Sequence, residues 1–122
     1  MSIRLASKQA IKSTFKQRIG AVLVNKHCVL GVGHNQINRH QQTFKTSHWE
    51  GTLHAEIAAI LDAIKKCGAK SIEGATLYVA RIKKNGEYGL AMPCAACYDL
   101  IMKCKIKVVY FTNDGGISKI MV

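Results

Sequence analysis

Leu53-His54-Ala55-Glu56-Ile57-Ala58-Ala59-Ile60-Leu61, continuing through Cys67 to Gly68, is the stretch on which the fold turns. Ala55, Ala58, Ala59, Ile60, Leu61, Ala63 and Ile64 recur with helical spacing and cover most of the circumference, which predicts a buried helix. Gly68 is the stop signal and Thr52 the expected cap at its start. Ahead of this helix lie two runs rich in β-branched residues, Ile19 to Val24 and Cys28 to Gly33, separated by Asn25-Lys26-His27, a hairpin signal. Behind it, Ala75 to Ile82 reads as a strand, Lys83 to Gly89 as a turn, and Cys94 to Lys103 as a helix with Pro93 just before its first turn. Ile106 to Phe111 is a further strand, followed by Asn113-Asp114-Gly115-Gly116 and a short terminal run, Ile117 to Val122. Ser2 to about Gln17 reads as an amphipathic helix. Strands alternating with helices predict a sheet covered on both faces, and the early hairpin makes that sheet mixed.

The chemistry sits at the starts of two of these helices. His54-Ala55-Glu56 and Pro93-Cys94-Ala95-Ala96-Cys97 together offer one imidazole and two thiolates, three soft ligands that leave one tetrahedral position on Zn²⁺ open. Glu56 is too close in sequence to His54 to be a second strong ligand, but it is well placed to exchange protons with a water in that open position. A purely structural zinc site more often uses four protein ligands and has no adjacent base. Helix N-termini carry partial positive charge, which favours anionic thiolate at such positions. A thioredoxin-like redox pair is disfavoured, because the strands and the His54 motif come in the wrong order for it.

H-x-E followed by P-C-x-x-C is the ligand order of zinc nucleobase deaminases. From about Ile19 to Phe111 the chain resembles the cytidine and deoxycytidylate deaminase superfamily. LHAEIAAIL at Leu53 to Leu61 and PCAACYDLIMKC at Pro93 to Cys104 are most similar to deoxycytidylate deaminases and their short viral and phage-type relatives. Those enzymes commonly carry Asn two residues beyond the Glu, where this chain has Ala58.

The resemblance implies a three-layer α/β/α sandwich around a central mixed sheet, formed as one deaminase domain over residues 1–122. It implies Zn²⁺ held by His54, Cys94 and Cys97, with Glu56 as the catalytic proton shuttle. Asn35 matches the position where relatives hold the sugar or base, although a turn residue ending the hairpin is its structural alternative. The Ala55 backbone is expected to meet the base edge. Met92 stands where relatives often have a small polar residue, so its backbone would make the contact. The implied reaction is hydrolytic deamination of a cytosine nucleotide, dCMP to dUMP with release of ammonia, by a homo-oligomer. Such relatives often add a helix and a parallel last strand. So few residues remain here that the final strand must be short, a hairpin edge, or absent.

Composition bounds these readings. A chain of 122 residues, 48% hydrophobic with a single Pro, is long enough for one core and too short for two. No apolar run approaches a membrane span, and Met1-Ser2-Ile3-Arg4 does not lead into a secretory apolar run, so a cytoplasmic protein is expected. Five cysteines, two of them in C-x-x-C, argue for a metal site over a disulfide framework. Cys28, Cys67 and Cys104 are expected to be small buried hydrophobes.

The net charge of +11 suits a phosphate-bearing or polyanionic partner. Arg4, Lys8, Lys12 and Lys16 recur every fourth residue, opposite a weak apolar stripe of Ile3, Ala10, Ile11 and Phe15. Arg81, Lys83 and Lys84 precede the cysteine helix and Lys103, Lys105 and Lys107 follow it. None of these clusters is interleaved with the aromatics of a single-strand stacking platform.

The long polar stretch from His34 to Thr52 is expected to be the substrate loop. Its His34, His40 and His48 fit no compact metal site and read as solvated. Phe44 and Trp49 could stack on a base or close over the core, and Arg39 and Lys45 could meet a 5′-phosphate. Two rival functions stand beside nucleotide deamination: deamination of cytosine or adenine within single-stranded DNA or RNA, and a non-catalytic zinc-stabilised binding protein. Glu56 argues against the last, since a structural site has no use for a carboxylate there.

Overall fold

Hydropathy alternating along the strands separates two cores, one on each face of the central sheet. The computed structural model describes residues 2–14, 17–37 and 52–122. The elements are α1 (Ser2–Ile11), β1 (Arg18–Asn25), β2 (Cys28–His34), β3 (Gln36–Ile37), β4 (Thr52–Leu53), α2 (Ala55–Cys67), a 3-10 turn (Ala69–Ile72), β5 (Thr76–Ile82), β6 (Tyr88–Gly89), α3 (Ala95–Lys103), β7 (Val108–Asn113) and β8 (Gly116–Met121). The sheet order is β2-β1-β5-β7-β8, with β6 paired to the end of β5. Among the described strands only β5 and β7 pair in parallel, and the crossover that parallel neighbours require contains α3. All other pairs are antiparallel, so the sheet is mixed as the sequence predicts.

On one face Val22 and Ala80 pack with Ala6 of α1, joined by Leu5, Val24, Val32 and Tyr78. On the other, Ala21, Leu23, Leu77, Val79, Val109 and Phe111 pack with Ala55, Ala59, Ile60 and Ala63 of α2 and Ile101 of α3. Helix, sheet and helices thus form the three expected layers. Among the described residues no helix is long and apolar enough to cross a membrane.

The β1–β2 hairpin turns through Lys26 and His27, both at positive φ (50° and 66°), the backbone sense that matches strand twist in a two-residue turn. Helix α1 ends at Ile11, shorter than the predicted run to Gln17. The amides of Lys12 and Ser13 bond back three residues to Gln9 and Ala10, and the Ser13 hydroxyl donates to the Asn35 carbonyl, which turns the chain away from the helix axis. Lys12 therefore leaves the predicted basic face, and Ile11, 61% exposed, leaves the apolar stripe. Phe15, Lys16 and the loop residues Arg39, His40, Phe44, Lys45, His48 and Trp49 lie outside the described residues.

Other expectations are corrected. Thr52 belongs to β4, and His54 is the N-cap of α2. Cys28 and Cys67 are exposed, because they fall at the hairpin end of β2 and the last turn of α2, beyond the reach of either core; Cys104 is half-buried. The last strand is the hairpin edge, six residues antiparallel to β7.

What positions α2 is the missing side chains of β2. A Cβ on Gly33 would lie 2.5 Å from the Ala59 amide nitrogen and 2.8 Å from the Ala55 carbonyl oxygen, and one on Gly31 would lie 2.4 Å from the Ala59 carbonyl oxygen. The helix lies directly on the strand backbone, which only glycine permits. Replacing Gly33 by Ala is expected to push the first turn of α2 off the sheet and cost about 1–3 kcal/mol, the range for overpacked cores. Urea unfolding measures this as a lower midpoint at unchanged m-value. Gly74→Ala, where positive φ but open space meets the new methyl, should cost less.

Candidate active site

α2 and α3 begin at the same end of the sheet, the carboxyl end of β2, β5 and β7, where open α/β sheets bind ligands. His54 is the N-cap of α2 with extended backbone (φ −69°, ψ 148°), and Cys94 is the N-cap of α3 (φ −71°, ψ 169°). Neither makes a side-chain cap hydrogen bond. Cys97 follows in the first turn of α3, fully buried against Ile57 of α2. His54 Nδ1 is 3.2 Å from Cys97 Sγ and 3.7 Å from Cys94 Sγ, and the three ligand atoms all lie within 4.8 Å of one another. Zinc bonded at ordinary lengths to one nitrogen and one sulfur in a tetrahedron would separate them by about 3.5 Å. The donor set and its spacing therefore fit a zinc ion held by three protein ligands.

Electrostatics point the same way. Burial pushes the Cys97 thiol well above its ordinary pKa, and the nearby Glu56 and Cys94 push it further. Left alone, Cys97 would stay protonated; a divalent cation among these atoms inverts that preference. Glu56, 5% exposed in the first turn of α2, is raised by burial and partly held down by hydrogen bonds from its own backbone N–H and from Cys97. An upward shift moves a carboxyl toward the range in which a general acid–base works.

The remaining site residues are placed by the strands. Asn35 ends the β1–β2 ladder: its side-chain oxygen accepts from the Ile19 amide at 3.0 Å and its nitrogen donates to the Gln17 carbonyl at 2.6 Å. Each polar atom of the amide therefore holds one bond to the backbone. Ala55 is buried in the first turn of α2, and Met92 is 58% exposed in the extended segment leading to Cys94. His34 falls in register beside Gly20 on the α1 face, away from the ligands, and its pKa is lowered by burial and by Lys12.

Two residues at the same end of the sheet were not singled out as site groups by sequence reading. Thr112 is fully buried, and its hydroxyl accepts from the Arg81 amide at 3.0 Å and donates to the Gly89 carbonyl at 2.7 Å, while its carbonyl accepts from the Ala91 amide. It ties β5, β6 and β7 together just ahead of Cys94. Arg81 follows Leu77 and Val79 on the face that carries α2 and α3. A cation at an inward strand position is the sequence signal that would have found it.

The family model for the cytidine and deoxycytidylate deaminase zinc-binding region matches residues 1–113. The chain belongs to that deaminase family. It is 32% identical to the tRNA-specific adenosine deaminase of Bacillus subtilis over 93% of its length, and spans 65% of that relative. The tRNA-specific adenosine deaminase of Aquifex aeolicus is 25% identical over 97% of this chain and 70% of the relative. Among solved structures, the cytidine deaminase of Burkholderia pseudomallei superposes with a TM-score of 0.72 at 22% identity, over 98% of this chain and 89% of that one. The dCMP deaminase of cyanophage S-TIM5 gives 0.70 at 23% identity, over 92% and 79%. Both share the fold of this zinc-binding deaminase domain.

This deaminase chain should carry one zinc per molecule. Cys97→Ser should lose it, whereas Cys28→Ser, at the distant end of β2, should retain it by atomic absorption. Because burial keeps Cys97 protonated, zinc uptake by the metal-free chain near neutral pH should release at least about one proton per ion. A pH indicator in weakly buffered solution reads that release.

Proposed function

We propose that this protein is a zinc-dependent hydrolase that removes the exocyclic amine of a cytosine nucleotide, converting dCMP to dUMP with release of ammonia. The observation that carries this reading is the convergence of the His54, Cys94 and Cys97 ligand atoms within 4.8 Å beside the buried carboxyl of Glu56. His54, Cys94 and Cys97 are the ligands in this reading, and zinc held by them supplies the Lewis acid that activates water for attack on an amidine carbon. Glu56 takes the two protons of the attacking water in turn, passing the first to ring N3 and the second, from the new C4 hydroxyl, to the leaving amine, so that a uracil ring and ammonia balance cytosine and water. The Ala55 backbone and the extended segment at Met92 flank the base edge, with Cys97 buried and His54 and Cys94 half-buried beside it. Asn35 contributes by holding the end of the β1–β2 ladder and by the second hydrogen and lone pair of its amide.

A second reading moves the same chemistry to adenine or cytosine in a single-stranded nucleic acid. Both curated relatives are named tRNA-specific adenosine deaminases, and the net charge of +11 favours a polyanion. Ammonia release from dCMP and from single-stranded DNA and RNA oligonucleotides, measured side by side, separates the two. Turnover of dCMP supports the first reading; turnover confined to oligonucleotides replaces it with the second. Under either, Glu56→Gln should retain zinc and the folded circular-dichroism spectrum while turnover falls by about 10²–10⁴-fold, the usual loss for a general acid–base. Retained turnover in that variant would overturn the role given to Glu56.

A further inference from the structure

The face of the sheet that carries α2 and α3 is layered in rows across the strands. Gly33, Ala21, Val79 and Phe111 are register partners and form one row, and the first turn of α2 rests on it where Gly33 meets the Ala55 carbonyl. Two residues further toward the ligand end comes the next row: Ile19, bonded to Asn35 on one side and paired with Arg81 on the other, and Gly89 beyond Arg81. This second row lies one step past the point where Gly33 meets the first turn of α2, at the end of the sheet where His54 and Cys94 cap their helices.

Arg81 is the charged member of that floor. Its stem lies across Gly89, where a Cβ would fall 3.0 Å from Cδ and 3.1 Å from Nε. Its Nε is shielded from solvent and has no hydrogen-bond partner among the described residues. The ion pairs of the described residues join Lys66 to Asp62, Lys83 to Asp114 and Lys103 to Asp99, and leave Arg81 with no carboxylate. Arg81 is half-buried as a residue, yet its Nε is a buried donor unmet by protein, which costs stability unless an acceptor reaches it.

We propose that Arg81 is a substrate-binding residue whose guanidinium receives a phosphate of the substrate. This rests on the deaminase reading and deepens it: an uncharged nucleoside offers Arg81 no counter-charge, whereas a planar fork of donors matches a phosphate. Either a 5′-monophosphate or a phosphodiester of a nucleic acid supplies that chemistry. Gly89 belongs to the same device, because any larger residue there would occupy the path of the arginine stem.

The test is equilibrium binding to the zinc-loaded full chain by calorimetry, with unreactive product-like probes. Deoxyuridine, dUMP and a short single-stranded oligodeoxynucleotide holding one deoxyuridine are compared in the wild type, Arg81→Met and Arg81→Lys. Methionine keeps an apolar stem over Gly89, so the fold should survive. The wild type should prefer dUMP or the oligonucleotide over deoxyuridine by about 10- to 100-fold, the range for charged hydrogen bonds. Arg81→Met should abolish that preference with deoxyuridine affinity unchanged, and Arg81→Lys should restore part of it. Dependence in the dUMP arm identifies a monoester, and dependence confined to the oligonucleotide arm a diester; both support the assignment. It is overturned if the wild type shows no phosphate preference, if the preference survives in Arg81→Met, or if that variant weakens all three probes alike. Ammonia release from dCMP and from a cytosine oligonucleotide on the same samples keeps the deaminase reading separate. Arg81-dependent binding without turnover would retire that reading and leave the phosphate site standing, and turnover without Arg81 dependence would do the reverse.

Discussion

Direct contact between α2 and the bare backbone of β2 is the constraint from which the site follows. With no side chains at Gly31 and Gly33, the helix sits at a depth and an axial position set by backbone atoms on both sides. Its first residue, Ala55, is thereby held against the end of the strand, and His54, one residue earlier, must project beyond the sheet edge. Small residues continue the theme along the helix, where Ala55, Ala59 and Ala63 form the buried face against β2 and β1. Larger side chains would fill the same core while lifting the imidazole away from the thiols.

The second half of the site is held by hydrogen bonds instead of packing. The parallel ladder between β5 and β7 ends at Val79 and Phe111, and β6 takes over beside β5 from there. Thr112 bridges the change of partner with one hydroxyl bonded to two strands, so the segment from Gly89 to Pro93 enters α3 at a defined height. Cys94 and Cys97 then meet His54 across the gap between two helix starts. Two positive helix ends, a buried thiol held protonated by its surroundings and a buried carboxyl form a pocket whose electrostatics are unsettled without a cation and balanced with one.

Much of this was legible in the amino-acid order. The apolar spacing from Ala55 to Ile64 and the stop at Gly68 marked α2 within a residue or two, and the β-branched runs around Asn25-Lys26-His27 marked the β1–β2 hairpin. The ligand trio was legible because one imidazole and two thiolates in H-x-E and P-C-x-x-C order are soft zinc ligands, and their ligand atoms lie within 4.8 Å of one another. Errors arose where tertiary contacts outweigh local pattern. Ser13 bonding to the Asn35 carbonyl ends α1 early, and the β3–β4 pairing absorbs Thr52 into a strand. Cys28 and Cys67 look apolar in sequence, yet each sits where its element has run past the core.

Sequence alone determined the element types, the mixed α/β class and the identity of the groups able to bind zinc, because periodicity and ligand chemistry are local properties. Which residues share a row, and so which polar groups face one another, was decided only by strand register. Asn35 is committed to the Gln17 and Ile19 backbone by its place at the hairpin end, and Arg81 is turned inward by the pairing of β5 with β1. A shift of one residue in that pairing would send Arg81 to the opposite face with the local sequence unchanged, which is why long-range hydrogen bonding and not composition assigns it to the site.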